Sequence, residues 1–127
     1  GSDRIYPEPN PQTVATAIKI GSPASWRRAL RAVRESNGVM LAVSDEEITS
    51  YQRKLASMEG IFVEPASAAS VAGLAKAVEM GIVKGDESVV AVVTGNGLKD
   101  PDSLMRLHSD EVVVEASLEA LRAVILG

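Results

Sequence analysis

The chain has 127 residues, 46% of them hydrophobic, and carries 13 lysines and arginines against 17 aspartates and glutamates, for a net charge of −4. With no cysteine and a single histidine, His108, the sequence excludes disulfides, thiolate metal ligation, cysteine catalysis and multi-histidine sites. An isoelectric point near 5.0 leaves no electrostatic footprint for nucleic acid or an anionic membrane, and no apolar run approaches the ~20 residues of a membrane span.

A mean hydropathy of +0.09 with that apolar share predicts one folded domain with its own core. No signal peptide is visible, which predicts a cytoplasmic protein. Gly1-Ser2 reads as a cloning scar. Pro7, Pro9 and Pro11 forbid helix and make residues 3–12 an extended lead-in, so a single α/β domain is expected over residues 13–127.

Thr13 to Ile20 is β-prone. Gly21-Ser22-Pro23 then predicts a helix start, with Ser22 as N-cap, Pro23 in the first turn and Trp26, Leu30 and Val33 at helical spacing. Asn37-Gly38 should end that helix in a left-handed cap. Arg27, Arg28, Arg31 and Arg34 read as an ordinary solvated face, Glu35 pairing with Arg31 at i, i+4, with a partner surface as the alternative. Val39 to Val43 predicts a buried strand. Ser44-Asp45-Glu46-Glu47 is a capping box that opens a second helix, with Ile48, Tyr51, Leu55 and Met58 as its core stripe and Gly60 as its end. Ile61 to Val63 is a connecting segment.

Glu64-Pro65-Ala66-Ser67 opens a third helix whose apolar side is expected to be Val71, Leu74, Ala75 and Val78. Its small residues suit either tight packing or a ligand at the helix N-terminus. Glu64 is either a first-turn carboxylate favourable to the helix dipole or a buried acid with a chemical role, and the first fits better. Val89 to Val93, apolar at every position, predicts a central strand buried on both faces. It empties into Thr94-Gly95-Asn96-Gly97, where ligands settle in open α/β sheets. A turn at Asp100 to Ser103, a short helix over Leu104, Met105 and Leu107, a strand at Val112 to Val114 and a terminal helix capped by Ser117 complete the chain. His108 reads as a surface residue. The order of elements predicts a three-layer α/β fold, a mostly parallel sheet with helices on both faces.

Thr94-Gly95-Asn96-Gly97-Leu98-Lys99-Asp100-Pro101 follows Gly60-Ile61-Phe62-Val63-Glu64-Pro65-Ala66-Ser67-Ala68-Ala69-Ser70 and, before that, Thr13-Val14-Ala15-Thr16-Ala17-Ile18 with Gly21-Ser22-Pro23. In this order the three stretches resemble the carboxyl-terminal part of the threonine synthases, in the tryptophan-synthase-β-like family of pyridoxal-phosphate enzymes. The resemblance runs from about residue 12 to about residue 103 and weakens beyond.

It implies part of a fold-type II domain and a reaction of O-phosphohomoserine and water to threonine and phosphate, with the cofactor ring as electron sink. Thr94 would offer its hydroxyl to the pyridine nitrogen, leaving that nitrogen less protonated than a carboxylate partner would. Ala15, Thr16 and Ala17 would lie against the ring, Glu64 to Ser67 would line its other edge, and Gly95 and Asn96 would shape the pocket. The family's cofactor-bearing lysine and glycine-rich phosphate loop belong to an amino-terminal portion, and none of Lys19, Lys54, Lys76, Lys84 and Lys99 sits in such a setting.

The chain alone is therefore expected to hold no catalytic residue, to bind no cofactor and to be inactive, its partner being the missing amino-terminal portion. That portion would be either the rest of an interrupted polypeptide or a separate chain of a split enzyme. The alternative is a stand-alone, non-catalytic module that binds a small ligand or pairs with itself. In each case exposed apolar surface predicts a homo-oligomer, with no metal, nucleic acid or membrane partner.

Overall fold

The computed structural model describes residues 4–102, 105 and 112–126. The lead-in, residues 4–12, forms no helix or strand and is mostly exposed. It is pinned where Glu8 N–H donates to Gly21 O at 2.8 Å, so close that a Cβ on Gly21 would overlap the Glu8 carbonyl.

Helix α1 spans Trp26–Glu35. It starts later than Ser22-Pro23 predicts, because Pro23 and the two residues after it form a turn closed by Trp26 N–H on Pro23 O at 3.3 Å. Ser25 takes the N-cap position without a side-chain bond. At the other end Asn37 adopts φ +52, the left-handed stop that Asn-Gly predicts. The arginine face is exposed, and Arg31 lies 3.7 Å from Glu35.

Helix α2 spans Asp45–Glu59 and has the predicted capping box: Ser44 Oγ accepts from Glu47 N–H at 3.1 Å and Ser44 N–H donates to Glu47 Oε2 at 2.6 Å. Gly60, at φ +67, ends it. The buried stripe is turned from the expected one. Ile48 and Gln52 are buried, Tyr51 and Leu55 half-buried, and Met58 is 75% exposed. Gln52 belongs inside because its Nε2 donates to Val63 O at 2.7 Å, leaving no buried amide unpaired.

Helix α3 spans Pro65–Glu79, with Glu64 as an extended N-cap and Pro65 in the first turn. Here too the buried side differs from the expected one. Pro65, Ser67, Ala68, Ala72 and Ala77 are buried while Val78 is half exposed, because the small side chains let α3 approach α2 and residues 13–18 closely. The core between them joins Ala15, Ile48, Val63 and Ala68, flanked by Val14, Val43 and Leu55. Alanines make half of that central cluster, so its burial contributes modestly.

The expected parallel sheet is absent among the described residues, whose sole β pairing is an antiparallel bridge between Val63 and Asn96. Thr13 to Ile20 forms a turn and a 3-10 turn, Thr16–Ile18. Residues 39–43, 89–93 and 112–114 form no helix and carry no ladder, and Val90 is 88% exposed. A strand that is apolar throughout needs paired backbone on both edges and cover on both faces. The first two segments have α3 on one face and a groove of about 350 Å³ between them, lined by Val39, Leu41, Leu74, Ala77, Val90 and Val92. No described backbone fills that groove.

Pro101, Asp102 and Met105 are helical, whereas Ser103, Leu104, Leu107 and His108 lie outside the described residues. The terminal helix, Leu118–Leu126, is capped as predicted, Ala120 N–H donating to Ser117 Oγ at 3.1 Å, and buries none of its residues. The accessible surface is 9735 Å², against about 6,500 Å² for a compact monomer of this mass. No described helix is long and apolar enough to cross a membrane.

Candidate functional site

The Val63–Asn96 bridge lays the loop after the apolar segment across the start of α3. Glu64 N–H donates to Gly95 O at 3.0 Å and Gly97 N–H to Phe62 O at 3.2 Å. Both loop glycines answer to this close approach. A Cβ on Gly95 would overlap the Glu64 carboxylate and one on Gly97 the Phe62 ring, while neither glycine has positive φ, so space rather than backbone conformation selects them.

Beneath the loop sits Ser67, fully buried. Its Oγ accepts from Thr94 N–H at 2.9 Å and Gly95 N–H at 2.7 Å, and lies 3.0 Å from Thr94 Oγ1 and 3.2 Å from Gly95 O. Asn96 Oδ1 accepts from Leu98 N–H at 2.9 Å and caps the 3-10 turn Gly97–Lys99.

The first stretch joins from the other side. Asp45, at the start of α2, accepts from Thr13 Oγ1 at 2.6 Å and Val14 N–H at 3.0 Å. Thr16 Oγ1 donates to Asp100 Oδ2 at 2.6 Å. Three stretches distant in sequence thus meet: residues 13–18, 62–67 and 94–100. Near the α2 cap, the Ser44 N–H first and then Lys76, 3.5 Å away, hold the Glu47 carboxyl below the usual glutamate range.

Of the residues singled out from sequence, Thr94, Asn96, Thr16 and Ala17 are exposed, whereas Ala15, Glu64, Ser67 and Gly95 are buried beneath them. Ala15 packs in the core, Glu64 abuts Gly95, and Ser67 carries the loop. Sequence reasoning missed Asp45, Gln52, Phe62 and Asp100. Gln52 had a signal, a polar residue four after Ile48 inside an apolar stripe. The others are legible only through their tertiary partners. Among the described residues no three histidines, aspartates or glutamates gather as a metal site.

Residues 2–95 match the family model described as pyridoxal-phosphate dependent enzyme. The chain belongs to that family. Its relatives include the threonine synthase of Methanosarcina acetivorans, 52% identical over 127 residues, which are the whole of this chain and 31% of the relative. The threonine synthase of Methanocaldococcus jannaschii is 48% identical over 95% of this chain and 30% of its own length. That of Mycobacterium tuberculosis is 56% identical over 79% and 28%. The chain therefore spans about a third of the length of the curated relatives it matches.

Membership brings the fold-type II class, although the sheet of that class is not formed by the described residues. The residues present offer pyridoxal phosphate one polar group: Thr94 is an exposed residue whose hydroxyl lies 3.0 Å from that of buried Ser67.

Proposed function

We propose that this chain is the carboxyl-terminal part of a threonine synthase, contributing the ring-nitrogen side of the pocket in an enzyme that converts O-phosphohomoserine and water to threonine and phosphate. The observation that carries the reading is the meeting of all three family-like stretches, residues 13–18 on Asp100 and the α3 core and residues 62–67 on the loop, with exposed Thr94 fixed through its backbone by Ser67. Bound pyridoxal phosphate supplies an electron sink for this β,γ-replacement.

The chain's own residues orient and polarise. Thr94 donates a neutral hydrogen bond to the pyridine nitrogen, Asn96 and Ala17 border the ring, and Ala15, Glu64, Ser67 and Gly95 form the packed wall behind. Thr16, engaged with Asp100, braces the edge of that wall. The lysine that holds the cofactor and the phosphate loop come from the remainder of the protein, so the 127 residues alone are inactive. The same remainder supplies strands to the groove between residues 39–43 and 89–93, completing the parallel sheet. Left without it, the apolar face drives self-association of this chain.

The test is to add pyridoxal phosphate to the isolated chain, reduce with borohydride, and locate any adduct by intact mass and peptide mapping. The proposal expects no specific adduct, and activity towards O-phosphohomoserine only after an amino-terminal partner chain is supplied. A stoichiometric adduct at one of the five lysines would overturn it.

A further inference from the structure

We propose that Ser67 is a positioning residue: through one hydrogen bond it sets the direction in which the Thr94 hydroxyl donates. The inference rests on the reading of Thr94 as partner of the ring nitrogen and goes beyond it by naming what makes that hydroxyl a donor.

The argument is a count of protons and lone pairs. A serine hydroxyl has one proton and two lone pairs. Both lone pairs of Ser67 Oγ are taken by consecutive backbone donors, Thr94 N–H at 2.9 Å and Gly95 N–H at 2.7 Å. Ser67 therefore cannot also accept from Thr94, and in the 3.0 Å contact between the two hydroxyls Ser67 is the donor. The other acceptor within reach, Gly95 O, has a second lone pair free beside the Glu64 N–H it accepts at 3.0 Å, but it is farther, at 3.2 Å, so the shorter contact to Thr94 Oγ1 takes the larger share of the proton. On distance the Ser67 proton is placed towards Thr94 Oγ1, with Gly95 O as its second acceptor.

With one lone pair of Thr94 Oγ1 filled from below, its own proton points away from Ser67, towards the exposed side of the loop. Donation in series polarises the outer hydroxyl and strengthens the bond it makes. Ser67 is fully buried, so no water substitutes for it. It touches no cofactor itself; its effect passes through Thr94.

The experiment uses the full-length protein containing this sequence, loaded with pyridoxal phosphate labelled with 15N in the ring, and reads the pyridine 15N chemical shift, with kcat and KM measured alongside. Thr94→Val tests the underlying reading: loss of the donor moves the ring nitrogen downfield, and no movement would remove Thr94 as its partner. Ser67→Ala tests the inference. Its expected result is a downfield shift smaller than that of Thr94→Val, with kcat reduced and KM little changed. Should Ser67→Ala fail to fold, Ser67→Cys, a close steric match with a weaker donor, is read by the same criterion. A shift under Thr94→Val with none under the folded serine variant would overturn the positioning role and leave the Thr94 reading standing.

Discussion

Gly97→Ala offers a sharp test of how the loop is packed. A Cβ built on Gly97 overlaps the Phe62 ring, with Cζ at 2.5 Å and Cδ1 at 2.6 Å, whereas ordinary contact begins at 3.4 Å. The ring would have to retreat by about 1 Å, and overpacking of this kind costs roughly 1–3 kcal/mol. Backing the loop away offers no relief, because Gly97 N–H is bonded to Phe62 O of the same residue. Gly97 has no positive φ, so alanine adds no backbone strain and lowers unfolded-state entropy, which offsets about 0.4–1 kcal/mol.

The expected net destabilisation is about 1–2 kcal/mol, read as a lower urea midpoint at unchanged slope. In a Phe62→Ala background the obstacle is gone and only the entropic gain remains, so Gly97→Ala becomes mildly stabilising. The cost of Phe62→Ala itself cancels in the double-mutant cycle, leaving a coupling of about 1–3 kcal/mol. An equal effect of Gly97→Ala in both backgrounds would refute the packing argument.

Asp45→Asn keeps the size of the side chain but removes the charge behind bonds to Thr13 and Val14; a loss of about 1–3 kcal/mol in urea unfolding is expected, with residues 13–16 gaining hydrogen-exchange rate. Because the Glu47 carboxyl is held below the ordinary glutamate range near pH ~4.3, its contribution is complete above that pH and disappears as pH falls through the lowered value; Glu47→Gln should flatten this part of the acid unfolding profile. Thr94→Val in the full-length protein should leave the fold intact, with a lowered thermal midpoint because buried Ser67 loses an acceptor, while lowering turnover or altering the product ratio; wild-type turnover and product ratio would contradict the proposed role. Light scattering of the isolated chain should show a dimer or larger assembly, against which a monomer at high concentration would count.

Local signals in the sequence were reliable where their partners are local. The Ser44–Glu47 box, the left-handed Asn37 and Gly60 and the Ser117 cap each depend on residues within a few positions, and each is found. Ser22-Pro23 misled because the residues after Pro23 close a turn on its carbonyl, Trp26 N–H donating to Pro23 O, before the helix begins. Strands fared worst, since Val39 to Val43 and Val89 to Val93 have the composition of central strands but become a ladder only when other backbone lies alongside. Helix spacing found α2 and α3 but not which side is buried. Gln52 is drawn in by Val63 O, and the alanines of α3 by the closeness they allow. The three stretches of the site were visible as a resemblance. Their hydroxyl, carboxylate and amide pairings were not, because Ser67, Asp45 and Asp100 find partners at least 27 positions away.

The latch between Thr16 and Asp100 also bears on the order in which this region assembles. Its partners are 84 positions apart, against 27 for Ser67 and Thr94 and 32 for Thr13 and Asp45. By chain-closure entropy alone the longest loop costs about 1 kcal/mol more to shut than the shortest. Were the two shorter closures made first, they would remove most of that excess by drawing both ends onto α2 and α3. On the ribosome the first stretch emerges long before Asp100, so the bracing of Thr16 waits until nearly the whole region has been synthesised.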